Sequence, residues 1–405
     1  MKNLIFIIIF SIYFFNVRFK NLPPGAILAT VLLIVPLILK IKNIKLPYSK
    51  RANPAFLILI LITIISIISF LNSNMDEFFG FQLTTYLWIS SIVIPTIIYN
   101  LFQKDEDVLK LLIGCGILNS IFIILMFISP GFKEIYNGLL ETPTILDGVD
   151  QENSINLRNI GLSGFASYST GVLQMIFSFI FLLHKKLKGD HLFVKDLFLL
   201  ILFIISGMLA ARSSIIGVVF AMFMLFIFFG ILPLIKLFFL LSTSALIFLC
   251  MIYLLLPENL SNFFITWLSE PFTSGLKTAS LQVNKEMFNI DYTMFSLLGE
   301  FRWFDDNSRS NYFMHTDVGY LRILLALGYI GLFLFLILNI YLALPIRNEY
   351  SVFRFFTMLY LILILFKGSI ISDAFQIYTL IFTSIILEIK QINKYHEKKF
   401  NDQPC

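Results

Sequence analysis

Apolar residues fill this chain in long runs, and short polar stretches punctuate them. The runs predict helical spans over 3–17, 25–39, 54–71, 79–99, 109–129, 167–184, 197–210, 214–229, 237–256, 318–341, 355–367 and 376–389, twelve in all. A helix needs about 20 apolar residues to cross a bilayer. The first, seventh, eighth, eleventh and twelfth runs fall short of that, so they are expected to extend into neighbouring polar residues. A segment that crosses lipid must satisfy its backbone groups internally, which makes each span a helix. The expected fold is all-α, one polytopic membrane domain over residues 1–405.

The polar stretches between spans carry the topology. KIKNIKLPYSKR (40–51), HKKLKGDHLFVK (184–195), IRNEYSVFR (346–354) and KQINKYHEKK (390–399) are basic. With twelve spans all four fall on one side, which the excess of Lys and Arg makes cytoplasmic. Both termini are then cytoplasmic. NVRFKNLPPG (16–25) is a basic turn on the other side and runs against this scheme. The first run lacks a small-residue cleavage site and reads as a retained helix rather than a removed signal.

Two long loops then face outward, over 130–166 and 257–317. Loops longer than about 12–15 residues usually serve a purpose when they are ordered. These keep aliphatic and aromatic residues throughout, so short amphipathic helices on the outer surface are expected, with Phe263–Leu268 and Phe288–Leu298 as candidates.

Composition narrows the class. Residues are 58% hydrophobic and 14% charged, against about 25% charged in soluble domains. That leaves too little polar sequence to coat a soluble core. The formal charge of +5 comes without an arginine-rich or basic-aromatic module, so nucleic acid is not an expected partner. Cys115, Cys250 and Cys405 are scattered and form neither metal spacing nor a disulfide framework. Walker, dinucleotide, His-Glu-x-x-His and Gly-x-Ser-x-Gly motifs are missing. No metal or cofactor is expected.

Chemistry concentrates in two places. SGMLAARSSIIGVV (206–219) puts Arg212 among small and hydroxyl residues at the outer mouth between two spans. An arginine there is costly unless it snorkels, pairs or faces a polar cavity. The alternatives are an interfacial anchor and an anion-binding group. Ser213 and Ser214 are candidate caps for the following helix, whose N-terminus would favour an anion.

The second place is FRWFDDNSRSNYFMHTDVGYLRILLALGYIG (301–331), where charged sequence runs into an apolar span. If the helix begins early, His315 and Arg322 lie seven residues apart, about 10 Å along one face, with Asp317 near enough to pair with Arg322. A histidine exchanges a proton near neutral pH, and a carboxylate can orient it or act as base. A salt bridge beside a solvated histidine is the plainer alternative. Gly328 and Gly331 would permit close helix packing. Arg158 precedes the sixth span, and Arg302 and Arg309 flank Trp303, Asp305 and Asp306 in a surface suited to sugars. Asp373 faces outward, whereas Asp105 and Glu106 read as solvated loop residues.

This arrangement of spans resembles the O-antigen polymerase (Wzy) and O-antigen ligase superfamily of bacterial envelope enzymes. The resemblance rests on the Ala-Arg-Ser segment opening a mid-chain span. It rests also on the long outer loop ending in His-x-Asp-x-Gly-Tyr before Leu-x-x-Gly-x-x-Gly. It implies a GT-C-like architecture with a large periplasmic loop and a substrate of undecaprenyl-diphosphate-linked glycan. Membrane lipids, a repeat-unit flippase and a chain-length regulator are the implied partners.

By the same resemblance, Arg212 would meet the lipid diphosphate, and Arg302 or Arg309 would be the large-loop arginine. His315 would be the loop-end histidine and base, with Asp317 second, and Arg158 the basic residue of the earlier loop. Arg309 and Arg158 would guide the glycan. Thr316 and Asp317 after His315 depart from the ligase pattern of Asn or Ser and favour polymerase. A ligase, a transporter and a structural membrane protein remain as alternatives.

Overall fold

The computed structural model describes residues 2–40, 52–72, 78–141, 159–163, 168–255, 273, 285–290, 292, 295–300, 302–304, 313–369 and 374–401. The chain is all-α. Its helices are α1 (Lys2–Phe14), α2 (Gly25–Lys40), α3 (Asn53–Asn72), α4 (Phe78–Trp88), α5 (Ile94–Leu101), α6 (Asp105–Ile128) and α7 (Pro130–Leu139). Then come α8 (Tyr168–Leu187), α9 (Val194–Ala210), α10 (Ser214–Phe229), α11 (Ile231–Leu255), α12 (Gly319–Ala343), α13 (Glu349–Ile364) and α14 (Gln376–Asn401). Among the described residues, Asn53–Leu71, Leu83–Leu101, Asp105–Ile128, Tyr168–Leu187 and Gly319–Ala343 are long and apolar enough to cross a membrane. Shorter apolar helices accompany them. The protein is thus a multi-pass, membrane-associated helical assembly.

Local chemistry explains the irregular places. α4 runs into α5 through a π turn at Ile89–Val93. Pro95 has no N–H to give the carbonyl four residues back, so the ladder loosens just before it. α6 begins four residues earlier than its apolar run because Asp105, Glu106 and Asp107 occupy its first turn, where the helix dipole favours carboxylates. Asp105 and Glu106 are therefore helical, a correction to their reading as loop residues. The short apolar runs extend as anticipated in α9, α13 and α14, while α10 keeps its 16 residues and the first run is cut short, α1 ending at Phe14.

The core is built round α8, whose residues from Ser169 to His184 are all buried. It packs against α6, α9, α10 and α13. Glycines set those distances. A Cβ added to Gly116 of α6 would fall 2.8 Å from the Phe177 Cβ, and one on Gly217 of α10 would fall 2.7 Å from the Met175 Cβ. Gly207 of α9 approaches the Met175 sulfur in the same way. A buried polar set crosses these contacts. Asn119 Nδ2 donates to Gln174 Oε1 at 2.9 Å, Gln174 Nε2 donates to the Gly116 carbonyl at 3.0 Å, and the Ser120 and Ser206 hydroxyls meet at 3.0 Å.

One end of the assembly is tied by charges. Lys188 reaches Glu106 at 3.1 Å, and Lys185 reaches Asp196 at 3.0 Å. Lys390 donates to the Phe102 carbonyl and lies 4.4 Å from the Tyr99 ring. Arg354 Nη2 sits 2.8 Å from Glu388 Oε2, both side chains almost wholly buried, and Asn348 Nδ2 donates to the other carboxylate oxygen at 2.6 Å. Three of the four basic segments thus meet at the end that holds the α5–α6 link. Residues 41–51 of the fourth lie outside the described residues.

A buried ion pair that loses one partner leaves a stranded charge. Glu388→Ala is expected to lower stability by about 3–5 kcal/mol, read as a lower unfolding midpoint in detergent. Arg354→Met combined with Glu388→Leu should recover most of that loss.

Candidate functional site

The opposite end gathers the candidate chemistry, beginning with the turn between α9 and α10. The Ala211 N–H bonds the Gly207 carbonyl at 2.9 Å, and the Ser214 and Ile215 N–H groups bond the Ala211 and Arg212 carbonyls. Arg212 is held in this tight reversal and is partly exposed. The serines do not cap α10 as the sequence suggested. The Ser214 hydroxyl donates back to the Gly207 carbonyl at 2.8 Å, and Ser213 makes no capping bond. The requirement to close the α9–α10 turn outcompetes capping here.

Close contacts lead from this turn to the start of α12. A Cβ on Gly171 of α8 would overlap the Ser214 hydroxyl and lie 2.8 Å from the Ala211 Cβ. One turn earlier, the Tyr168 ring lies where a Cβ on Gly368 would go. Gly319, the first residue of α12, is pressed on the Gly368 carbonyl. The Tyr320 hydroxyl donates to the Ile362 carbonyl at 2.7 Å, fixing α12 to the end of α13. Arg212 and the mouth of α12 therefore share one rim, with Tyr168 and Gly368 between them.

At that mouth the chain is not yet helical. Phe313–His315 is a single 3-10 turn in which Met314 has φ 55°, and Thr316 to Val318 are non-helical. α12 starts at Gly319, so His315 and Arg322 do not share a helix face as the early-start reading supposed. Thr316 is buried and its hydroxyl accepts from the Val318 N–H, which holds the turn open. Asp317 is half-buried.

Arg322, one turn into α12, is buried, and its guanidinium carbon lies 4.5 Å from the centroid of the buried Trp303 ring. That cation–π contact joins the long loop before α12 to the helix. Arg302 stacks over Phe313 at 5.0 Å with Glu300 at 3.6 Å, and the Phe313 N–H bonds the Trp303 carbonyl. Arg158, Asp305, Asp306, Arg309, Asp373 and Phe263–Leu268 lie outside the described residues. Asn159, next to Arg158, is buried, and the segment 159–163 is docked: the Leu162 N–H bonds Asn119 Oδ1 at 2.8 Å and Ser163 meets Thr170 at 2.7 Å.

Two other readings change. Gly328 is not a packing glycine within a straight helix: with φ 67° and ψ −172° it breaks α12. Gly331 then sits under the Leu327 side chain. The expected helix over Phe288–Leu298 is not formed at 288–290 or 295–298, where the chain is turn, bend or irregular. In the first long loop, α7 is the amphipathic helix. Its Tyr136 hydroxyl donates to the Leu162 carbonyl, and its start is capped by Ser129. The α1–α2 link lies on this same end, pairing Phe19 with Leu140.

Sequence reasoning missed Tyr168, Gly319 and Gly368, which look like ordinary span-end residues. It also missed Lys133 of α7, which is buried. No family, curated protein or solved structure matches the chain. Among the described residues no three His, Cys, Asp or Glu side chains cluster as metal ligands.

Burial pushes the Lys133 ammonium down to about 8 from an ordinary 10.5. The folded chain gives up this proton before the unfolded chain does. Its stability contribution is complete above pH 10.5 and is lost as pH falls through 8. The thermal midpoint in detergent should rise over that window, and Lys133→Met should flatten the rise.

Proposed function

We propose that the protein is an O-antigen or related surface-polysaccharide polymerase, joining undecaprenyl-diphosphate-linked repeat units at the periplasmic face of a bacterial inner membrane. In this reading the chain makes about twelve crossings in a GT-C-like arrangement. The charged end and both termini are cytoplasmic, and the rim bearing Arg212 is periplasmic. The carrying observation is the shared rim, where the Arg212 turn meets the start of α12 through Gly171, Tyr168, Gly368 and Gly319.

The chemistry follows from the residue types. The acceptor hydroxyl oxygen attacks the anomeric carbon of the donor sugar from the face opposite the diphosphate, and the configuration inverts. The hydroxyl proton passes to His315, with Asp317 as second choice, while the bond from carbon to the diphosphate oxygen breaks. The lipid diphosphate leaves carrying the electron pair. Arg212, helped by Arg322 or Arg302, meets its charge. Trp303, Asp306, Arg309 and Arg158 serve the glycan in this scheme.

One observation favours a second reading. Transporters place binding sites at interrupted helices, and α12 is interrupted at Gly328. A transporter that lost activity would leave its lipid-linked repeat unit facing the cytoplasm, whereas a polymerase would leave it facing outward.

Arg212→Ala and His315→Ala should each insert normally in the membrane yet abolish long glycan ladders on a lipopolysaccharide gel, leaving core capped by one repeat unit. Full ladders from both variants would sink the proposed site. Loss of ladders together with inward-facing lipid-linked units, judged by a membrane-impermeant sugar label, would move the assignment to transport.

A further inference from the structure

The break in α12 is filled by the chain itself. Three backbone bonds splice the segment Ser296–Glu300 into the gap: Glu300 N–H to the Leu325 carbonyl at 3.0 Å, Tyr329 N–H to the Ser296 carbonyl at 3.4 Å, and Ile330 N–H to the Leu297 carbonyl at 3.2 Å. Gly299 and Gly328 cross in contact, both with positive φ, at 74° and 67°. A Cβ on Gly299 would lie 2.5 Å from the Gly328 nitrogen. From the other side, the Ser69 hydroxyl of α3 bonds the Leu298 carbonyl. The gap lies nine residues into α12, about 13 Å along its axis, in a helix that is apolar and long enough to cross a membrane.

The approach to the gap is aromatic. Phe288 packs on Phe366 at 6.2 Å, Tyr292 on Phe295 at 5.6 Å, and Phe295 edge-on against Tyr329 at 6.4 Å. On the outward side Leu297 is 67% exposed and Tyr292 47%. They continue the exposed apolar band of α12, formed by Tyr329, Ile330, Phe333 and Ile340. Lys285 and Glu286 are exposed where the segment begins. Non-helical backbone survives at hydrocarbon depth where it is buried in protein or lines a water-filled cavity; the three spliced bonds and the Ser69 contact satisfy the Ser296, Leu297, Leu298 and Leu325 carbonyls and the Glu300, Tyr329 and Ile330 N–H groups.

We infer that residues 285–290, 292 and 295–300 of the second long loop belong to a strap embedded in the membrane leaflet nearest the start of α12, with Leu297 and Tyr292 against lipid acyl chains and the gap at Gly328 as its socket. Lys285 and Glu286 mark its water edge. Trp303 follows three residues after the seated Glu300, so the strap also fixes the ring on which Arg322 rests. The inference needs only a membrane and stands apart from the glycan reading.

The test uses full-length protein with Cys115→Ala, Cys250→Ser and Cys405→Ser, and a single cysteine at either Leu297 or Lys285 carrying a bimane dye. The variants are reconstituted in phosphatidylethanolamine–phosphatidylglycerol vesicles. Dye at 297 should be quenched by doxyl groups on phospholipid acyl chains and spared by aqueous iodide, and dye at 285 the reverse. Gly328→Ala should unseat the strap and raise iodide quenching at 297 several-fold.

Iodide quenching at 297 as strong as at 285 would overturn the inference, as would no quenching by either agent, the mark of a second protein copy covering the strap. An unchanged response in Gly328→Ala would overturn the role of the gap. Benzoylphenylalanine at Leu297 in the otherwise native chain keeps the question decidable if the cysteine-free chain fails to fold. Photo-attachment to phospholipid supports the strap, and attachment to protein overturns it.

Discussion

Lipid tails are as apolar as leucine, so burying apolar surface cannot decide which helix packs on which. In a chain that is 58% hydrophobic, that decision falls to small residues and to hydrogen bonds between helices. α8 carries the consequence. Gly116, Gly207 and Gly217 bring α6, α9 and α10 to within a missing methyl of its side chains, and its own Gly171 receives Ala211 and Ser214. The Asn119–Gln174 and Ser120–Ser206 bonds then fix rotation about those contacts. Elsewhere Tyr13 meets Thr379 at 2.6 Å and Tyr378 donates to Asn339 at 3.1 Å, tying α14 to α1 and α12 in the same manner.

The second constraint is the backbone. Every N–H and C=O at membrane depth needs a protein partner, so an interrupted helix is stable only if something else supplies the bonds. α12 meets this by borrowing Ser296, Leu297 and Glu300 from a segment some 30 residues upstream. The cost of the break is offset within the fold by a segment of the loop that precedes α12. A glycine pair is required because the two backbones cross where any side chain would collide, and both adopt positive φ.

The apolar runs were legible because a spanning helix must be long and apolar, and a helix stands over every run that the sequence marked. Arg212 was legible as a lone cation between small residues, and Trp303 with Arg322 as chemically loaded neighbours. The contact between those two was not, since nineteen residues separate them and no periodicity relates a loop to a helix face. The helical start expected over 315–318 fails for a local reason. Met314 takes a left-handed conformation and the Thr316 hydroxyl accepts from the Val318 N–H, which ends one turn before the next can start. Gly328 misled because glycine in an apolar span serves both close packing and breakage, and only the upstream Gly299 decides between them.

The two ends of the assembly are stabilised by different physics, and this distinguishes the charge-clamped end from the end that bears the proposed site. At one end, ion pairs and carbonyl contacts clamp helix termini: Arg354 to Glu388, Lys188 to Glu106, Lys390 to the α5–α6 link. These interactions neutralise charge where it stands. At the other end, helix termini meet chiefly through glycine contacts and backbone bonds. Arg212 and Arg302 sit on turns and loops over that rigid frame, and Arg322 lies just inside it. Binding groups are disproportionately found on loops carried by a rigid scaffold, because precision then comes from the scaffold and variety from the loop. That division is the physical ground for proposing the ligand chemistry at the rim around Tyr168 and Gly368 rather than at the more highly charged opposite end.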